Sequence, residues 1–216
     1  MSKRNVERVL LLKELKLVYK EVDDEDIVDY YQDKILNFND DEVTYWFAFN
    51  IKSSDRKKLG KIIIDNKNIK YNYDFAANIP GADVKAHGKV IIDSKDLKYN
   101  YNFARRVEGA DVKAHGKVII DSKDPYYNAI FASIIPDADI KEHEKVLLAS
   151  NDIENIGNYV LNIRDNKMEN HSTKEALDII LNSNNDYIIN YLYKEKEALL
   201  KKADKYSSYE KVLKKL

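Results

Sequence analysis

A chain of 216 residues, 44% hydrophobic and 34% charged, carries enough apolar mass for a packed core and excludes general disorder. Its 36 Lys and Arg nearly balance 37 Asp and Glu, a net charge of -1, so no global basic field demands nucleic acid. Cysteine is absent, which excludes disulfide scaffolds, thiolate zinc sites and cysteine nucleophiles.

Residues 1–26 begin MSKRNVERVLLLKELKLVYKEV, where Lys13, Glu14 and Lys16 interrupt the apolar run. The segment predicts an amphipathic N-terminal capping helix over 4–21, not a signal peptide or membrane span, in a cytoplasmic protein without membrane association. The acidic run Asp23–Asp26 lacks the glycine and ligand spacing of a calcium loop. It reads as a helix start, where carboxylates favour the dipole.

From residue 27 the chain repeats. DVKAHGKVIIDSKD stands at Asp83–Asp96 and again at Asp111–Asp124, and the offset between the copies sets the length of one unit. The register extends without a gap over five such units, 27–54, 55–82, 83–110, 111–138 and 139–166, with Phe47, Phe75, Phe103 and Phe131 in one column. Each unit predicts two helices. Asp55, Asp83, Asp111 or Asp139 caps the first; Asp96 caps the second helix of its unit, and Gly109 stands where a left-handed C-terminal residue is wanted. Helices of about three turns do not persist alone in water, so they must stack on their neighbours. After Asn166 the register slips by about five residues through NKMENHS. Residues 167–216 then predict a degenerate sixth unit, with LNSNNDYIINYLY echoing IDSKDLKYNYNFA, and C-terminal capping helices opened by a Ser172–Glu175 capping box.

These units resemble the short bihelical, HEAT-like repeats of proteins from AT-rich bacteria and their phages, over roughly residues 27–192. The resemblance implies an all-α fold, an α-solenoid of tandem helical hairpins used as a binding surface, and names no partner.

Three columns recur. His87, His115 and His143 share a column with Leu59 and Tyr31 and, with Val84 and Ile91, follow the stripe a helix buries. Stacked helices lie about 8–10 Å apart, while zinc ligands sit about 2 Å from the ion. The histidines therefore cannot share a metal, and the column reads as packing. Gly60, Gly88 and Gly116 each cost about 1 kcal/mol of helix propensity, which predicts a close approach of neighbouring helices there.

The second column is basic: Lys57 and Lys61, Lys85 and Lys89, Lys113 and Lys117, Lys141 and Lys145 lie one turn apart on four successive first helices. Such a stripe can follow a phosphate backbone. Asp65, Asp93 and Asp121 one turn further along favour a solvated outer face instead.

The third lies on the second helices, opposite the Tyr–Phe core stripe. It carries Trp46, Asp74, Asn102, Arg106, Tyr126, Ile130 and Ile134 where water is expected, a composition suited to an interface. In HEAT-like solenoids the second helices line the concave side, so the resemblance places this row there. Burial of Ile130 and Ile134 under the C-terminal segment is the competing reading.

No Gly-rich phosphate loop, G-x-S-x-G or H-E-x-x-H occurs, so neither catalysis nor a cofactor is expected. The leading expectation is a non-enzymatic solenoid that binds another protein as adaptor or inhibitor, in keeping with a phage or mobile-element protein directed at a host protein. Nucleic-acid binding through the lysine stripe is second, with a DNA-repair-like enzyme built around Asp74 and Trp46 a weaker form of it. Exposed Ile130 also allows a homodimer.

Overall fold

The computed structural model describes residues 2–18, 25–162, 173–183, 185 and 188. Among these residues every regular element is an α-helix. Contacts divide the chain into two compact units, Met1–Asp111 and Val112–Leu216.

The first unit contains α1 (Lys3–Val18), α2 (Glu25–Phe38), α3 (Asp41–Asn50), α4 (Arg56–Asn66), α5 (Ile69–Asn78), α6 (Val84–Ser94) and α7 (Leu97–Arg106). The second contains α8 (Val112–Ser122), α9 (Pro125–Ile134), α10 (Ile140–Ala149), α11 (Ile153–Asn162) and α12 (Thr173–Asn182). Within each unit, helices pack on their neighbours. The starts of α4, α6, α8 and α10 fall at matching positions of successive sequence repeats, as do those of α5, α7, α9 and α11.

Local chemistry accounts for these boundaries. Asp55, Asp83 and Asp139 cap α4, α6 and α10, each accepting a backbone N–H three residues on, and Asp96 does the same for α7. One turn then links first helix to second. Ser94 Oγ donates to Ile91 O at 2.6 Å and accepts from Asp96 N at 3.2 Å, while Lys95 takes φ 57°. The same hydroxyl bonds recur at Ser122 and Ser150. They recur again at Ser183, where an unbroken register would have put the serine at position 178, so the turn reappears beyond the slip.

The core of the first unit is a stripe of Ile35, Phe47, Leu59, Ile63 and Phe75, with Ile91 and Phe103 in a further cluster. In the second unit Ile119, Phe131, Ile135, Leu147, Ile156 and Tyr159 are buried. Burying a side chain of this size contributes about 1.5–3 kcal/mol, which offsets the ordering of helices too short to stand alone.

Several expectations are corrected. Helix α1 is amphipathic only in part: Leu11 and Leu15 are buried, yet Val6, Leu10 and Leu17 are exposed on its other side. It is held by Glu14, which accepts from Lys34 at 2.8 Å and from Tyr31 at 3.1 Å. Helix α2 begins at Glu25, inside the acidic run that reads as a helix start. The left-handed residues that follow first helices are Asn39, Lys67, Lys95, Lys123 and Asn151. Gly109 is left-handed, but it lies past the extended cap Val107, in the turn leading to the next unit. Its counterparts are Gly81 and Asp137. Residues 19–24, Ser172 of the proposed capping box, most of the sixth unit and the C-terminal capping helices lie outside the described residues.

Candidate partner-binding surface

The three columns have different fates. The histidines are core residues: His87 and His143 are 0% exposed and His115 is 1% exposed. His87 Nδ1 lies 2.8 Å from Asn72 Oδ1, and His143 Nδ1 lies 2.8 Å from Asn128 Oδ1. Asn72 Nδ2 donates to Ile63 O and Asn68 O, at the end of α4 and the cap of α5, and Asn128 repeats this with Ile119 O and Asp124 O. Among the described residues no cluster of His, Asp or Glu suited to holding a metal is present.

The asparagine column is one that sequence reasoning missed. Its signal was there: Asn72, Asn100 and Asn128 recur once per unit, each on the helix that precedes a histidine of the ladder. A buried asparagine on a helix otherwise lined by Tyr and Phe calls for hydrogen-bond partners.

Gly60 and Gly116 are explained by the same junction. A Cβ at Gly60 would sit 3.1 Å from Phe75 Cε1 and 3.5 Å from His87 Nε2. At Gly116 the corresponding distances are 3.1 Å to Phe131 and 3.2 Å to His143. The missing methyl makes room for a stacked Phe–His pair, with centroids 5.0 Å apart for Phe75–His87 and 4.5 Å for Phe131–His143.

The lysine stripe is exposed at Lys57, Lys61, Lys85, Lys89, Lys113, Lys117, Lys141 and Lys145. Lys61, Lys89 and Lys117 pair at 3.0, 3.0 and 3.1 Å with Asp65, Asp93 and Asp121 on their own helices. Lys145 reaches Glu142 at 4.0 Å. These exposed pairs within single helices set a carboxylate beside the second lysine of each pair and contribute only about 0.3–0.5 kcal/mol each.

The second-helix row lies at the edge of the core. Arg106 and Tyr126 are exposed, whereas Trp46, Asp74, Asn102, Ile130 and Ile134 are half-buried. Full exposure is therefore corrected at five of the seven positions: each helix buries two adjacent stripes, and the row borders the second. In the first unit the row forms a partly open aromatic patch. Phe49, one turn from Trp46, is 52% exposed. Tyr45 lies between Phe49 at 5.9 Å and Tyr71 at 6.1 Å, with the Lys70 ammonium 4.2 Å from the Tyr71 ring. Asp74 pairs with Lys70 at 3.7 Å, and burial raises its carboxyl above the usual range while Lys70 pulls it down. Phe49 and Tyr45 were not singled out from sequence because their columns hold alanine, arginine or core tyrosine in neighbouring repeats. In the second unit Tyr126 is 52% exposed and meets Tyr127 edge-on at 5.2 Å, with Ile130 and Ile134 on the following turns.

No helix among the described residues is long and apolar enough to cross a membrane. Compared with protein-family models, curated proteins and solved structures, the chain finds no match in any of the three.

Proposed function

We propose that the chain is a non-enzymatic α-solenoid of the HEAT-like kind that binds another protein, as adaptor or inhibitor, through the second-helix row. One observation carries the reading. The units 83–110 and 111–138 are identical through their first helices, yet on the second the outward positions change from Lys98, Asn102 and Arg106 to Tyr126, Ile130 and Ile134. Asn100 and Phe103 keep their counterparts Asn128 and Phe131, although beside them buried Tyr101 gives way to Ala129 and exposed Arg105 to buried Ser133. Leaving a tyrosine exposed beside two half-buried isoleucines costs solubility, and a desolvated aromatic–aliphatic anchor in a partner interface repays it. The aromatic patch of Trp46 and Phe49 offers a second anchor of the same kind.

Nucleic acid is the lesser reading because the second lysine of each stripe pair is engaged by a carboxylate. The test is capture from host lysate, with and without nuclease, using the intact chain, Ile130→Asp, Trp46→Ala and a variant with Lys85, Lys89, Lys113 and Lys117 changed to Glu. A stoichiometric protein that survives nuclease, is lost with Ile130→Asp or Trp46→Ala, and is kept by the lysine reversal is the expected result. Capture of nucleic acid that the lysine reversal abolishes overturns the reading.

A further inference from the structure

The Asn–His contacts lie where one sequence repeat meets the next. Asn72 and Phe75 belong to 55–82 and His87 to 83–110; Asn128 and Phe131 belong to 111–138 and His143 to 139–166. In each junction the asparagine NH2 is committed to two backbone carbonyls, so its oxygen is the acceptor that faces the ring. The ring proton is therefore on Nδ1, and Nε2 carries a lone pair. Nε2 of His87 and Nε2 of His143 are buried without a hydrogen-bond partner. They face the Cα of Gly60 and of Gly116, beside the stacked phenylalanine.

The junction between 27–54 and 55–82 is built differently. Thr44 and Leu59 stand in the columns of Asn72 and His87, and both are 0% exposed. Two kinds of junction thus coexist in one chain, one with an ionisable ring at its centre and one without.

We propose that the Asn–His junctions are acid-sensitive latches: protonation of His87 and His143 at Nε2 parts the repeats they join, while the Thr44–Leu59 junction stays closed. A cation formed at Nε2 would lie in the core with no acceptor, and leaving a buried charge unpaired is among the largest penalties a fold can meet.

The charged surroundings do not rescue it. On α6 the Asp83 carboxylate acts on His87, weakly against the effect of burial, and Lys85, Lys89 and Asp93 are exposed. The titratable side chains of α4 (Arg56, Lys57, Lys58, Lys61, Asp65), α5 (Lys70, Tyr71, Tyr73, Asp74) and α7 (Lys98, Tyr99, Arg105, Arg106) are exposed or half-buried, and Tyr101 of α7 is buried. For His143 the corresponding carboxylate is Asp139. Buried Glu144 beside it accepts from Tyr159 of α11. Lys113, Lys117 and Asp121 of α8, Lys141, Glu142 and Lys145 of α10, Glu154 of α11 and Glu175 and Asp178 of α12 are exposed, α9 offers only Tyr126 and Tyr127, and α8 also carries buried His115.

Burial holds both imidazoles at about 4, below their ordinary 6.5. A depressed histidine binds fewer protons folded than open, so closure is unaffected above 6.5 and weakens as pH falls from 6.5 toward 4. At pH 5 the closed-to-open ratio falls about 30-fold per junction.

Amide hydrogen exchange of the full chain at pH 7 and pH 5, corrected for intrinsic rates, tests the latch. Protection in α6 and α10 should fall about 30-fold while α3 and α4 keep theirs. Transplanting the first junction, as Asn72→Thr with His87→Leu, should remove the response of α6 and leave that of α10. An equal loss in α3, α4, α6 and α10, or a response of α6 that survives the transplant, overturns the proposal. Should the transplant not fold, the histidine Cε1 proton resonances of the unaltered chain decide. Rings that stay neutral until the junction opens support the latch; rings that titrate near 6.5 in an unchanged fold overturn it.

Discussion

Tyr159 donates its hydroxyl hydrogen to Glu144, and these two residues occupy the columns that hold Phe131 and Gly116 one repeat earlier. Glycine has become a buried carboxylate and phenylalanine a phenol, each supplying what the other needs. Burial, reinforced by the carboxylate, pushes the Tyr159 phenol far above its ordinary range, so it stays a donor at every working pH.

That exchange predicts strong coupling. Tyr159→Phe alone removes this buried hydrogen bond to Glu144 and should cost about 2–3 kcal/mol in urea unfolding. Adding Glu144→Gly, which restores the pair seen at Gly116 and Phe131, should recover most of the loss. Additive costs would show that the two residues do not act together.

Asn72 ties together the end of α4, the cap of α5 and the ring of His87. Asn72→Ala removes all of these bonds and strands buried polar groups, so a loss of about 2–4 kcal/mol is expected. Asn100→Ala should cost a similar amount, since Asn100 bonds Ile91 O and Asp96 O in the same way. Thermal melts of the two variants would reveal whether the column works as a unit.

Substituting Ala for Gly116 gains about 1 kcal/mol of helix propensity but drives a methyl against Phe131 and His143. Overpacking costs about 1–3 kcal/mol, so net destabilisation is expected. Gly60→Ala should be milder, because His87 Nε2 stands 3.5 Å from the new carbon against 3.2 Å for His143. A reversed order in denaturant midpoints would contradict the stacking account.

The left-handed lysines offer a gain. Lys95 at φ 57° and Lys123 at φ 59° carry the strain of a side chain in a region that suits glycine. Lys95→Gly and Lys123→Gly should each stabilise by about 1 kcal/mol, read from urea midpoints.

Thr44 is 0% exposed with its hydroxyl unpartnered. Thr44→Val keeps the shape and removes the orphan, so a stabilisation of about 1 kcal/mol is expected. An unchanged or lower melting temperature would mean that the hydroxyl has a partner in solution.

The repeat spacing, the paired helices and most of their caps were legible in the chain. They depend on residues close in sequence: an aspartate and the amide three residues on, a serine hydroxyl and its neighbouring carbonyl, an apolar column returning once per unit. The left-handed lysines were not, because a turn held by Ser94 and Asp96 forces a φ that composition alone would assign to glycine. Nor was the pairing of Asn72 with His87, which sit in separate repeats and meet only when α5 and α6 pack. The surface row shows the same division. Pattern placed Trp46, Ile130 and Ile134 on the outward side, but their half-buried state was decided by how close neighbouring helices come. Helix formation and capping are local, so they can be read along a line. Burial depends on interhelical distance, which glycine, phenylalanine and histidine from different helices set together, and which exists only once the helices are packed.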